Sequence, residues 1–119
     1  MSDEQTLDFL SAIRDANVRL ISRSFKRYSY KEKGYTYYIR FKKEDSIVEF
    51  IWGPPEFQIE MILYVGSLKY AFKDLLKIPE IGRWVSSNRY KQGDKRNVKS
   101  EMLWFLDLLQ ISLEVIGIK

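Results

Sequence analysis

The sequence predicts a single α+β domain, residues 1–119: a four-stranded antiparallel meander sheet packed by an N-terminal helix, short central helices and a long C-terminal helix. Three observations carry this. Apolar residues recur at helical spacing near the start, alternate with a period of two from about residue 25 to 65, and return to helical spacing at the end. The chain has 119 residues, enough for one core and too few for two. The alternating segments also pair apolar against apolar when joined by tight turns, which favours antiparallel neighbours.

Asp3 precedes a helical pattern over residues 4–21, in which Leu10, Ile13, Asn17, Leu20 and Ile21 share a face with Phe9 and Ala16 beside them. A short strand is expected at about residues 25–30, with Lys31-Glu32-Lys33-Gly34 as the turn out of it. Tyr35, Tyr37, Ile39 and Phe41 then alternate with Thr36, Tyr38, Arg40 and Lys42. Val48, Phe50 and Trp52 alternate with Ile47, Glu49 and Ile51, and Phe57, Ile59, Met61, Leu63 and Val65 with Glu56, Gln58, Glu60 and Ile62. A two-residue turn at Glu44-Asp45 sets Tyr37 against Trp52, Ile39 against Phe50 and Phe41 against Val48. Gly53-Pro54-Pro55 must be a loop, because consecutive prolines cannot donate to a ladder. Matching inward residues across it places Phe50 against Ile59 and Glu49 against Glu60.

Ser67 is a candidate cap for a short helix carrying Tyr70, Phe72, Leu75 and Leu76, which Pro79 ends. A further turn or two runs through Ile81, Trp84 and Val85. Asn88 to Asn97 contains no aliphatic residue and reads as an exposed basic loop. Val98, Met102, Phe105, Leu106, Leu109, Leu113 and Ile116 then define an apolar face sustained over five turns, capped by Asn97. Trp104, Leu108, Ile111 and Val115 form a second stripe, so this helix is expected to be covered on more than one flank.

Cysteine and histidine are both absent, which removes disulfides, thiolate nucleophiles, imidazole bases and Cys/His metal sites. No nucleophile, oxyanion or phosphate-cradle motif stands out, so neither an enzyme nor a cofactor or metal is expected. There is no apolar run of membrane-spanning length and the N-terminus is acidic, so the expected location is cytoplasmic, away from membranes.

The formal net charge of +4 hides five blocks. Residues 1–18 carry minus three, 19–43 plus eight, 44–66 minus five, 67–99 plus six and 100–119 minus two. These become patches on the folded surface and define the candidate sites. The acidic strands combine with surplus apolar residues on the nominally outer sheet face. Glu49, Ile51, Glu56, Gln58, Glu60 and Ile62, with Ile47 near, form an expected protein interface of apolar centre and charged rim, whether to another protein or a second copy. The same register makes Glu49 and Glu60 a candidate carboxylate pair, with Arg40 beside Glu49; a surface ion pair between Arg40 and Glu49 is the simpler expectation. The alternative is a nucleic-acid face using Arg27, Tyr38, Arg40 and Lys42 together with Arg89, Lys91, Lys95 and Arg96 of the basic loop, since cations track phosphates and aromatic rings stack on bases.

Three strings carry a loose, whole-chain resemblance to a known group of proteins: Glu49-Phe50-Ile51-Trp52-Gly53-Pro54 closing a strand, Leu75-Leu76-Lys77-Ile78-Pro79-Glu80-Ile81 before Trp84, and Glu101-Met102-Leu103-Trp104-Phe105 opening the last helix. In this order of elements the chain resembles the small intracellular immunity proteins of bacterial polymorphic toxin systems. The resemblance implies a non-enzymatic antitoxin that binds its cognate toxin directly. Inhibitors of nucleases usually present acidic surfaces, so a basic chain of this kind either uses its acidic strands or meets a toxin of another type.

Overall fold

The computed structural model describes residues 3–54, 58–88 and 98–117. Its elements follow the order α1 (Asp3–Ile21), β1 (Lys26–Lys33), β2 (Thr36–Lys43), β3 (Ser46–Trp52), β4 (Glu60–Val65), β5 (Leu68–Tyr70), α2 (Phe72–Leu76), α3 (Pro79–Ser87) and α4 (Val98–Ile116). The strands form one antiparallel sheet in sequence order. The α+β class, the meander and both long helices are as the sequence predicts.

Among the described residues the sheet has five strands where the sequence predicts four. Gly66, at φ +60°, turns the chain back on itself, and its N–H donates to Asp45 O at 3.0 Å. Leu68–Tyr70 therefore adds to the sheet edge against Leu63–Val65. The short helix starts only at Phe72, where Asp74 Oδ2 accepts the Ala71 N–H at 2.9 Å, so Ser67 is not its cap. Pro79 opens α3 at its first turn, a position where its missing N–H is no loss.

The β1–β2 turn is also displaced. Lys31, Glu32 and Lys33 are strand residues, and Gly34, at φ +65°, makes the turn with Tyr35. Tyr35 is consequently exposed rather than inward-facing. The β2–β3 hairpin turns at Glu44-Asp45 with the expected partners Tyr37 and Trp52, Ile39 and Phe50, Phe41 and Val48.

The core lies between one sheet face and the helices. Ile39, Phe41, Val48, Phe50, Trp52, Met61 and Leu63 are buried there with Phe9, Leu20, Leu75, Ile81, Met102 and Leu109. Phe9 stacks on Trp52, ring centroids 4.9 Å apart. Each such fully buried large side chain stabilises the fold by about 1.5–3 kcal/mol.

The buried stripe of α1 is Phe9, Ala12, Ile13, Ala16 and Leu20, rotated from the expected face; Ile21 is exposed, and Leu10 and Asn17 are half-buried. Helices α1 and α4 pack together. Arg19 pairs with Asp107 at 3.0 Å and Lys99 with Asp15 at 3.8 Å, so the two run in the same sense. Small residues at 12 and 16 suit that close approach. Ser24, at φ 69°, closes α1, and the Phe25 N–H returns to Leu20 O at 2.9 Å.

On α4, Met102, Leu106, Leu109 and Leu113 are buried as expected, together with Leu108 of the second stripe. Phe105 is half-buried, in an aromatic group with Phe72 and Trp104. Glu101 is buried, and its Oε1 accepts the Ile59 N–H at 2.9 Å. That amide precedes β4, so the carboxylate supplies an acceptor just before the ladder begins.

Candidate functional site

The sheet face turned away from the helices holds most of the expected site. Strand pairing lays its residues in rows: Lys26, Lys42, Ile47, Tyr64 and Lys69; then Ser29, Arg40, Glu49 and Ile62; then Lys31, Tyr38, Ile51 and Glu60; then Lys33 and Thr36. Tyr38, Ile47, Ile51, Ile62 and Tyr64 are not among the side chains of the core cluster, which draws on all four helices and the opposite sheet face. They make a second, thin apolar layer in the middle of this face, with lysines along the β1 and β5 sides.

At its centre Arg40 Nε donates to Glu49 Oε2 at 2.7 Å, and the guanidinium lies 5.6 Å from the Tyr64 ring centroid. The Glu49 side chain is 6% exposed and that of Arg40 is 40% exposed. The buried carboxylate thus has its charge partner at the surface, and one positive centre is held between an acid and an aromatic face.

The β3–β4 register differs from expectation by two residues. Phe50 faces Met61, Glu49 faces Ile62 and Ile51 faces Glu60. Glu49 and Glu60 share a face as diagonal neighbours, so the expected side-by-side carboxylate pair does not form. Among the described residues, no group of three acidic side chains is arranged to hold a metal ion.

Of the six expected interface residues, Ile51 and Gln58 are half-buried and Glu60 is exposed. Glu49 and Ile62, at 4% and 6% exposed, are buried by their own sheet neighbourhood and support the surface from beneath. Glu56 lies outside the described residues, as does Phe57 of the expected fourth strand.

The expected nucleic-acid set is divided. Tyr38, Arg40 and Lys42 share the outer face, but Arg27 does not. A bulge between Arg27 and Ser29 sets Arg27 opposite Phe41, on the helix side of the sheet. Arg89, Lys91, Lys95 and Arg96, with the rest of the basic loop after Asn88, lie outside the described residues. Tyr64 and Lys69 belong to the face and were not singled out from sequence; the parity that selects Glu60 and Ile62 also selects Tyr64.

Comparison with family models, curated proteins and solved structures returns no match. No helix among the described residues is long and apolar enough to cross a membrane.

Proposed function

We propose that this chain is a non-enzymatic protein-binding module of the toxin-immunity type, acting in the cytoplasm and engaging its partner through the outer sheet face. The observation that supports this reading most is the apolar layer of Tyr38, Ile47, Ile51 and Tyr64, half-buried on a face outside the core cluster. An apolar centre with a charged rim is the usual anatomy of a protein interface, and aromatic residues are enriched there. Charge sharpens the partner's chemistry. With Glu49 joined to Arg40, the rim is Lys26, Lys31, Lys33, Lys42 and Lys69 against Glu60, which suits an acidic partner more than a basic one.

The test is co-expression with the protein encoded by the neighbouring gene. Rescue of growth and co-purification are expected for the native chain, and loss of both for Ile51→Asp with an unchanged denaturation midpoint. Rescue by Ile51→Asp overturns the reading.

The placement of Lys26, Lys31, Lys33 and Lys42 around Tyr38 on one face favours a second reading, single-stranded nucleic acid tracking the β1–β2 side. Salt separates the two: binding to nucleic acid falls steeply with ionic strength, whereas an interface centred on Ile51 is far less sensitive.

A further inference from the structure

A groove of about 560 Å³ runs between α1 and the edge strand β1, bordered at the sheet edge by Lys26 of the outer-face rim. Leu10, Arg14, Asn17 and Ile21 reach it from α1 at helical spacing, with Ile13 at its base; Lys26, Arg27 and Tyr30 line it from β1. Its size falls within the range of small-molecule sites, roughly 300–1,000 Å³.

Two features give it a chemistry. No acidic residue lines the groove. Neither Arg14 nor Arg27 has a carboxylate partner among the described residues, although Arg19, Arg40 and Lys99 each pair with an acid. The bulge in β1 brings the second arginine here: it lets Arg27 and Tyr30, three residues apart, both face the helix side, opposite Phe41 and Ile39. Without the extra residue, Arg27 would share the outer face with Ser29 and Lys31.

We propose that this groove binds a small amphipathic anion, a carboxylate or phosphate head on a short aliphatic body. The head would sit between the Arg14 and Arg27 guanidiniums, whose planar forks match either group. Asn17 and Tyr30 line the same groove and would add polar contacts, and Leu10, Ile13 and Ile21 offer the body an apolar wall. The groove shares Lys26 with the outer-face rim, but the two arginines that carry the proposal lie off that face.

The test is an NMR titration of the full chain with octanoate and with octyl phosphate below their aggregation concentrations. Octanol, inorganic phosphate and anionic lipid vesicles serve as comparison probes. Saturable shifts concentrated at Leu10, Asn17 and Tyr30 are expected for at least one of the two anions, with octanol and inorganic phosphate binding about tenfold more weakly or worse. Arg14→Gln and Arg27→Gln are each expected to weaken binding by about tenfold or more, the loss of a charged hydrogen-bonding partner. Lys77→Gln, at the C-terminal end of α2, should leave it unchanged. Octanol binding as well as the anions, indifference to both arginine substitutions, or association with vesicles but with neither soluble anion overturns the proposal.

Discussion

The two faces of one sheet are built from the same strands, yet they bury their side chains by different means. On the helix side Trp52, Phe50 and Leu63 are sealed by side chains from α1, α2, α3 and α4. On the outer side Ile62 reaches 6% exposure without joining that core. Its row and diagonal neighbours, among them Arg40, Tyr64 and Ile51, are long enough to screen it. Low accessibility therefore has two origins here. A covered layer gains both from water exclusion and from close packing, while a self-screened layer keeps most of its packing surface available to a partner.

Stability measurements should separate the two layers. The largest loss is expected on the covered side: Trp52→Ala removes a ring stacked on Phe9 and should cost about 3–5 kcal/mol in chemical denaturation. Next comes the link between α4 and the sheet. Glu101→Ala leaves the buried Ile59 N–H without its acceptor and should cost about 1–3 kcal/mol, whereas Glu101→Gln keeps an acceptor and should cost less. On the self-screened side, Ile62→Ala should cost only about 1–2 kcal/mol, because water or shifting neighbours fill the space it leaves. A loss as large as that of Trp52→Ala would mean the outer face is covered after all.

The smallest effect concerns Tyr30, whose phenol titrates above its ordinary value. Burial is the main cause and the Glu32 carboxylate adds to it, with Arg27 opposing. Above about pH 10 the folded chain then retains a proton that the unfolded chain gives up, so this contribution to stability is complete below that pH and fades as pH rises further. The alkaline fall in denaturation midpoint should be slightly shallower for Tyr30→Phe than for the native chain.

The uneven legibility of the fold has physical reasons. The β2–β3 register was readable because a two-residue turn leaves one pairing that keeps Tyr37, Ile39 and Phe41 against apolar partners. Across the loop after Gly53 no turn fixes the offset. Ile59 and Met61 both point inward, so a slip of two residues moves every β3–β4 pair, Phe50 to Met61 and Glu49 to Ile62 among them, while preserving every inward and outward assignment. Three residues, Leu68 to Tyr70, are too few to show a period. The α1 stripe is hard to read because Ala12 and Ala16 weigh little as hydrophobes, although their small size suits contact with α4.

At the candidate site, Ile51 and Glu60 were placed on the correct face by parity, and Arg40 was correctly matched to Glu49. Arg27 was misplaced because a bulge shifts parity without leaving a mark in the residue pattern. Glu101 carries a signal of its own in the sequence: it stands four before Phe105 and seven before Leu108, in line with an apolar stripe.

The hydrogen bond from Ile59 to Glu101 spans 42 positions, and this has a consequence for synthesis. At about 5–20 residues per second, a ribosome needs roughly 2–8 s after Ile59 to make Glu101. During that interval the hairpins of β1 to β4 can already zip, since their pairings are local, but their apolar side lacks its last helix. The N-terminal helix offers only part of the cover. Lys26, Arg27, Lys31, Glu32 and Lys33 make β1 an edge that repels the strands of neighbouring nascent chains while the sheet waits.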